Sequence, residues 1–249
     1  MSLPYEYLVP YDCDTLTKVR LGQDGDGGYL IPKEVIADTD ILITFGVNDE
    51  DSFEQDFYKR RSKEGKRSKT IPYYLCDPFA TYSKKNEFMF LPLGLAKDTS
   101  GSMISFKDFL RVIRHTEESI FLKIDIEHAE WDAFETIMPE HLEKVHCLTI
   151  EFHGLLERKD QWPKFNAVLE KINNLFHLYH IHGNNNGFVY SIGDKSHLPD
   201  VIECTYINRK WAEKNGHTFK RRTEPFPEAL DQTNYAGKQD FILAWFLSS

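Results

Sequence analysis

The sequence predicts an α/β domain in which helices cover both faces of a doubly wound, mostly parallel sheet. Short apolar runs alternate with longer stretches of helical periodicity along most of the chain, and this alternation is typical of strand–helix–strand units. The runs are mostly apolar rather than apolar only at every second residue, as expected for strands that are buried on both faces. The 249 residues allow one large domain or two small ones.

Five apolar runs of strand length predict the core of this sheet: residues 41–45, 73–76, 88–93, 120–124 and 147–150. Three later segments are further strand candidates: residues 178–182, 201–207 and 241–245. Apolar residues at helical spacing predict three helices: from about Ser105, from Ala129 to Pro139, and over residues 162–176. The charged stretch 59–69 predicts a surface loop that follows a helix.

We expect a single domain over residues 1–249, because the chain contains neither an internal repeat nor a low-complexity linker. Residues 1–40 are predicted to be an N-terminal lid segment and residues 41–208 to contain the core sheet. Residues 209–249 are predicted to form a C-terminal cap with the last strand.

Composition and charge exclude several classes of protein. The formal net charge of −9 argues against a broad nucleic-acid-binding surface, which must be basic. No apolar run reaches the roughly 18 residues that a membrane helix needs, and residues 1–10 lack the pattern of a signal peptide. We therefore expect a soluble, cytoplasmic protein without membrane insertion. The four cysteines lie far apart and outside C-x-x-C pairs, which favours buried free thiols.

Glycines and polar residues follow the predicted strands, at the edge where open parallel sheets bind their ligands. They are Gly46, Asp77, Gly94, Asp125, Glu127, Glu151 and His153. A single acidic residue at a strand end carries little information, but several at one edge indicate a site.

The turn at Gly46 predicts close approach of the backbone to a ligand, because glycine has no side chain in the way. Residues 45–51 lack G-x-G-x-x-G and are acidic, which disfavours a bound pyrophosphate and suits a sulfonium ligand. Asp77 ends the next strand, where an acid can accept hydrogen bonds from both ribose hydroxyls of an adenosine. The alternative is that Asp77 simply opens an Asp-Pro turn.

The glycine-rich stretch 21–29 is either a plain hairpin turn or a loop that closes over the ligand. In the second case Arg20, Asp24 or Asp26 would reach towards the ligand.

Five segments, in this order, resemble the FkbM-type methyltransferases: RLGQDGDGGY at 20–29, FGVNDEDSFE at 45–54, LKIDIEHAEW at 122–131, EFH at 151–153 and HGNN at 182–185. Together they span residues 20–208. The resemblance implies a seven-stranded, Rossmann-like class I methyltransferase sheet that binds S-adenosylmethionine at its carboxyl edge.

The resemblance also implies roles for particular residues. Gly46 would begin the cofactor turn, Asp77 would hold the ribose, and Asp125 would lie beside the methionine moiety. The implied cofactor-binding set is Asp26, Gly27, Gly28, Phe45, Gly46, Val47, Ser52, Asp77, Pro78, Phe79, Gly94, Leu95, Asp125 and Glu127. The chain departs from the family's D-x-E-G pattern at His128, which would either narrow the pocket or face the substrate.

Members of the family resembled here methylate hydroxyl oxygens, often on sugars, and the transfer needs a base for the hydroxyl proton. His153 and His182 are the candidate bases, and His153 is favoured, with Glu151 orienting it or the substrate. A divalent metal is the competing mechanism, in which ligands from Asp125, Glu127, Glu151 and His153 would bind Mg²⁺ or Mn²⁺ and acidify the hydroxyl.

For the substrate, the amides of Asn184 and Asn185 suit sugar hydroxyls. Arg221 and Arg222 would hold a diphosphate, although a solvated loop is the favoured interpretation of that basic stretch. These residues predict a nucleotide-activated sugar of bacterial capsule or polysaccharide synthesis. The sequence leaves open whether the protein is a homodimer.

Two other functions are compatible with the pattern. A nicotinamide-dependent sugar oxidoreductase or epimerase would need the missing glycine fingerprint and a Tyr-x-x-x-Lys pair, a spacing that occurs at Tyr206 and Lys210. A non-catalytic module with a cofactor-binding fold would have no need of the carboxylates and histidines at the strand ends.

Overall fold

The computed structural model describes residues 4–64, 71–81, 88–114, 119–192 and 196–247. Its centre is a seven-stranded sheet. The strands are β1 (Ile41–Phe45), β2 (Tyr73–Cys76), β3 (Met89–Leu91), β4 (Ile120–Ile124), β5 (Val145–Phe152), β6 (Phe176–Gly183) and β7 (Ile202–Asn208). Their order across the sheet is β3-β2-β1-β4-β5-β7-β6. All neighbours are parallel except that β7 runs antiparallel to both β5 and β6.

Seven α-helices accompany the sheet in the described part of the chain. They are α1 (Lys33–Asp38), α2 (Ser52–Glu64), α3 (Phe106–Val112), α4 (Glu130–Thr136), α5 (Pro139–Leu142), α6 (Trp162–Leu175) and α7 (Arg209–Lys214). Side-chain caps fix the starts of two of them, because Ser105 accepts a hydrogen bond from the backbone of α3 and Asn208 does so for α7. Three 3₁₀ turns complete the helical elements: Pro4–Tyr7, Lys159–Gln161 and Trp245–Leu247.

Two apolar clusters lie on opposite faces of the sheet. One contains side chains of α3, α4, α5 and α6, together with every second residue of β1 and β4. The other contains side chains of α1, α2 and α7, and Leu42 and Phe121 from the alternate positions of the same two strands. Because successive side chains of a strand point to opposite faces, alternate residues of β1 and β4 contribute to the two clusters.

Four short strand pairs lie outside the central sheet. They pair Lys18–Leu21 with Tyr29–Pro32, Tyr11–Asp12 with Lys220–Arg221, Gly94–Leu95 with Met103–Ile104, and Val189–Ile192 with Ser196–Pro199. The first pair is a hairpin whose connection is the glycine-rich stretch, so the predicted hairpin turn is observed.

The structure corrects several predicted boundaries. No strand forms over residues 241–245: Leu243 makes only an isolated bridge with Phe226, and a 3₁₀ turn follows. The last strand of the sheet is therefore β7 rather than a strand of the C-terminal cap. β3 is shorter than predicted and ends before Pro92, which has no backbone N–H to donate.

Two helical predictions also change. Residues 59–64 belong to α2 rather than to a loop, while residues 65–69 of that predicted loop lie outside the described residues. Pro139 begins the short helix α5, and α4 has already ended at Thr136.

Two compositional predictions can be compared with the structure. All four cysteines are buried free thiols, as predicted. Across the described ranges, no helix has both the length and the apolar character needed to cross a membrane.

Candidate functional site

A pocket of about 590 Å³ opens at the carboxyl ends of β1, β2 and β4. This volume is in the range typical of small-molecule sites. Its lining residues are Gln23, Asp26, Gly27, Gly46, Val47, Asn48, Glu50, Ser52, Phe53, Asp77, Pro78, Phe79, Gly94, Leu95, Met103, Lys123, Asp125, Ile126, Glu127 and Ala129. Twelve of the fourteen residues predicted to bind the cofactor are in this set. The sheet topology therefore brings together residues that are distant in sequence, such as Asp26 and Glu127.

The turn after β1 depends on glycine at position 46. Gly46 has φ +80°, a left-handed conformation that residues with a side chain rarely adopt. A Cβ atom added there would lie 1.5 Å from the backbone oxygen of Asp125. The absence of a side chain thus lets the ends of β1 and β4 meet at the floor of the pocket.

The Asp77 carboxylate ties two loops together at the pocket wall. One oxygen accepts a hydrogen bond from the backbone N–H of Asn48, in the Gly46 turn, at 3.0 Å. The other accepts from the backbone N–H groups of Phe79 and Ala80, at 2.8 and 2.9 Å. Asp77 therefore opens a turn, as the simpler interpretation held, and also lines the pocket. Each carboxylate oxygen has two lone pairs, so these three bonds leave one acceptor position for a ligand, on the oxygen that is bonded to Asn48.

The hairpin loop brings Asp26 and Gly27 to the pocket. Its third predicted residue, Gly28, lies instead against the guanidinium group of Arg20 and lines a separate, very small cavity. Arg20 donates hydrogen bonds to the backbone oxygens of Gln23 and Gly25 at 2.5 and 2.6 Å, so it shapes the loop and does not reach the pocket.

Asp125 stands at the end of β4, where its carboxylate accepts a hydrogen bond from the hydroxyl of Tyr29 at 3.1 Å. The neighbouring Lys123 is buried, and its ammonium group lies over the rings of Tyr29 and Phe53, at 5.1 and 5.8 Å. Such contacts stabilise a desolvated cation. Lys123 was not predicted as a site residue. Its signal was the single charge inside the otherwise apolar run of β4.

His153, just beyond β5, is held by the buried carboxylate of Glu130 on α4. The Nδ1 atom of His153 lies 3.1 Å from Oε1 of Glu130, which also accepts a hydrogen bond from the backbone N–H of Ile126 at 3.1 Å. The Nε2 atom of His153 faces Glu127 at 3.6 Å and Glu151 at 3.9 Å. Glu130 was also missed by the sequence analysis, although a charge on the apolar face of a helix was a signal for it.

The charges around His153 determine its protonation. Burial lowers the pKa of His153, but the hydrogen bond and charge of Glu130, with the charges of Asp125 and Glu127, outweigh it, so the pKa rises above its ordinary value. Burial, followed by the charges of Asp125 and Glu203, raises the pKa of Glu151 well above its usual range. Both shifts follow from the crowding of carboxylates around His153 and Glu151.

The predicted base His182 lies elsewhere. Its Nδ1 is 3.0 Å from Glu203 and its Nε2 is 3.0 Å from Asp240. Although burial lowers the pKa of His182, the hydrogen bonds to Asp240 and Glu203 raise it to about 10. An imidazolium that donates to carboxylates from both nitrogens has no lone pair to accept a proton, so His182 is not placed to act as a base.

Several predicted substrate contacts are used within the protein. Arg222 is buried and pairs with Asp12 and Glu228, while Arg221 donates to the backbone oxygen of Phe246. These contacts hold the tail against the N-terminal strand, so neither arginine lines the pocket.

The other predicted residues also have defined positions. Asn185 is fully buried and bonded to backbone groups of residues 235–239. Asn184 joins Glu151 to Asp26. His128 lies beside His153, with ring centres 5.3 Å apart, and Phe45 is wholly in the core.

Comparison with known proteins does not assign a family. No family model matches the chain, and searches of the curated proteins and of the solved structures gave no match. The resemblance to the FkbM-type methyltransferases therefore stays a prediction.

Proposed function

We propose that this protein is a cytoplasmic S-adenosylmethionine-dependent O-methyltransferase on a doubly wound, Rossmann-like domain. The observation that carries the proposal is the meeting of Gly46, Asp77 and Asp125 in one pocket at the carboxyl edge of the sheet. A glycine turn, an acid beyond the next strand and an acid beyond the fourth strand are what the resemblance requires of a cofactor site.

The charge of the pocket supports a cationic ligand over a dinucleotide. Among the described lining residues there are five carboxylates and a single ammonium group, that of Lys123. A pyrophosphate would be repelled by such a surface, whereas the sulfonium and amino groups of S-adenosylmethionine would be attracted. Lys123 is the natural partner for the carboxylate of the methionine moiety.

The reaction follows from this placement. An acceptor hydroxyl oxygen attacks the methyl carbon, forming a C–O bond while the C–S bond breaks and its electron pair returns to sulfur. The products are a methyl ether, S-adenosylhomocysteine and one proton. We propose that the hydroxyl loses its proton beside Asp125, Glu127 and His153. One carboxylate oxygen of each acid and one ring nitrogen of His153 lie within 4.8 Å of one another.

We propose a sugar hydroxyl as the acceptor, with a nucleotide-activated sugar of capsule or polysaccharide synthesis as the substrate class. Residues predicted to hold its diphosphate, Arg221 and Arg222, are engaged by the fold. The acceptor screen should therefore include free sugars and sugar nucleotides side by side.

The nicotinamide alternative loses its remaining support. Tyr206 is fully buried within β7, while the Lys210 side chain is 72% exposed and pairs with Glu143. The two cannot act on one substrate.

Calorimetry with S-adenosylhomocysteine and with NAD⁺ tests the proposal. We expect saturable binding of S-adenosylhomocysteine at one site per chain and none of NAD⁺. Saturable binding of NAD⁺ alone would reject the methyltransferase. A methyl-transfer assay with labelled S-adenosylmethionine across the sugar panel then identifies the acceptor.

A further inference from the structure

We propose that Asp125, Glu127 and His153 form a site for a divalent cation of the Mn²⁺ type. The site would lie at the edge of the pocket, beside the position proposed for the reacting hydroxyl. This mechanistic role depends on the proposed methyl transfer, whereas the metal binding itself does not.

The geometry of the three side chains fits a metal ion. One oxygen each of Asp125 and Glu127 and one ring nitrogen of His153 lie within 4.8 Å of one another. With bonds of roughly 2.0–2.6 Å, atoms on opposite sides of an ion are roughly 4–5 Å apart. The Glu127 side chain is 83% exposed, so it can move the small distance needed to close around the ion. Its exposure also leaves the other coordination positions open to water or substrate.

A separate observation comes from the surroundings of His153. The residue is only 7% exposed, and its Nδ1 is fixed by the fully buried Glu130. Its Nε2 makes no hydrogen bond with any described residue and faces Glu127 and Glu151. Metal-binding histidines characteristically donate their second nitrogen to a carboxylate, which fixes the ring and increases its basicity. A buried imidazole whose Nδ1 is held by a carboxylate and whose Nε2 makes no hydrogen bond among the residues that the structure describes therefore indicates a bound ligand at Nε2.

The donor set indicates the kind of ion. Carboxylates favour Mg²⁺, Ca²⁺ and Mn²⁺, while an imidazole nitrogen suits transition metals. Mn²⁺ satisfies both and is detectable by electron paramagnetic resonance. Of the ligands that the sequence offered, Glu151 is left out of this group, since it is buried and bonded to Asn184.

The ion would change how the hydroxyl is activated. A hydroxyl oxygen bound to a divalent cation has a lowered pKa, so its proton passes to a solvent water before the oxygen attacks the methyl carbon. His153 would then be a ligand and not the base that the sequence favoured.

The test is Mn²⁺ binding to full-length protein freed of metal, measured by paramagnetic resonance without any methyl donor. We expect one site per chain. Glu127→Gln should raise the Kd at least about tenfold, and Glu130→Gln, which changes the partner of His153 Nδ1, by about 10–100-fold. Glu50→Gln is the matched control, because it removes one carboxylate from the same pocket, and its Kd should change less than about threefold. Because Glu127 is exposed, its variant should keep the melting temperature of the wild type.

Two results would overturn the site: no saturable binding at millimolar Mn²⁺, or equal affinity in Glu127→Gln and the wild type. Parallel measurements separate this proposal from the proposed function. Binding of S-adenosylhomocysteine with methyl transfer that persists in EDTA would reject the metal and keep the methyltransferase. Mn²⁺ binding without any affinity for S-adenosylhomocysteine would keep the metal site and reject the methyltransferase.

Discussion

Replacement of Gly46 by alanine should damage both the fold and the ligand site, and the structure indicates by how much. Two costs arise. The left-handed backbone at φ +80° penalises any side chain by roughly 1–2 kcal/mol. In addition, the new Cβ would overlap the backbone oxygen of Asp125 at 1.5 Å, so the ends of β1 and β4 must separate.

Gly216→Ala isolates the second cost. Gly216 follows α7 with φ +74°, nearly the same conformation, but nothing lies within 4 Å of its added Cβ. Both variants carry the backbone penalty, and in both the added methyl group reduces the conformational entropy of the unfolded chain by the same amount. Only Gly46→Ala should also be destabilised by overpacking, typically by ~1–3 kcal/mol.

The assay is thermal unfolding of both variants, followed by calorimetry with S-adenosylhomocysteine. For a chain of this size, ~1–3 kcal/mol lowers the melting temperature by about 2–12 °C, so Gly46→Ala should melt that much below Gly216→Ala. It should also bind S-adenosylhomocysteine at least about tenfold more weakly, equivalent to ~1.4 kcal/mol, while Gly216→Ala binds normally. Equal melting temperatures in the two variants would refute the contact between Gly46 and Asp125, on which the pocket depends.

Three further predictions concern binding and pH. Asp77→Asn should weaken the binding of S-adenosylhomocysteine by about 10–100-fold, since a hydrogen bond to a charged group is worth ~1.5–3 kcal/mol. Unchanged affinity in calorimetry would show that Asp77 does not contact the ribose. The pKa of His182 is raised to about 10, so its stabilisation is complete below pH ~6.5 and is lost as pH rises towards 10, by at most ~1.4 kcal/mol per pH unit. Urea unfolding from pH 7 to 9.5 should show this slope in the wild type and a shallower one in His182→Asn. Burial lowers the pKa of His146 to about 4, so this residue should destabilise the fold by ~1–3 kcal/mol as pH falls from ~6.5 to ~4.5. The free energy of unfolding should therefore fall more steeply with decreasing pH in the wild type than in His146→Gln. Equal slopes over this interval would contradict the buried environment of His146.

Strands β1 to β4 were predictable because each is a short, mostly apolar run that is closed by glycine, proline or an acid. Residues 41–45, 73–76 and 120–124 match their observed strands residue for residue. The failure at residues 241–245 has a physical reason. Leu243 and Trp245 are buried as a strand residue would be, but they pack as an irregular segment beyond the sheet, and local composition cannot distinguish these two kinds of burial.

The pocket was predictable for a related reason. In a parallel sheet the residue after each strand must lie at the same edge, so Gly46, Asp77 and Asp125 meet whatever the connections between them. Contacts made by the tail follow no such rule. The partners of Arg222 and His182 include Asp12 and Asp240, which are distant in sequence, and no local pattern announces them.

The same tail explains which carboxylates are available to a ligand. Residues 231–240 bring Asp231, Asn234 and Asp240 to the hairpin and the far strands. Asp231 and Asp240 pair with His180 and His182, and Asn234 donates to Asp26 and Glu203. Asp231, Glu203 and Asp240, on the β6–β7 side, are thus paired with histidines from within the chain. On the β1–β4 side, Glu127 is exposed and its contact is the 3.6 Å approach to His153. Negative charge that the fold compensates on one side and leaves open on the other is what a cationic ligand requires.

Removing the compensation should therefore affect stability rather than binding: Asp240→Asn should lower the melting temperature yet leave the affinities for Mn²⁺ and S-adenosylhomocysteine unchanged. A variant that folds normally but loses either ligand would show that the two sides are one site.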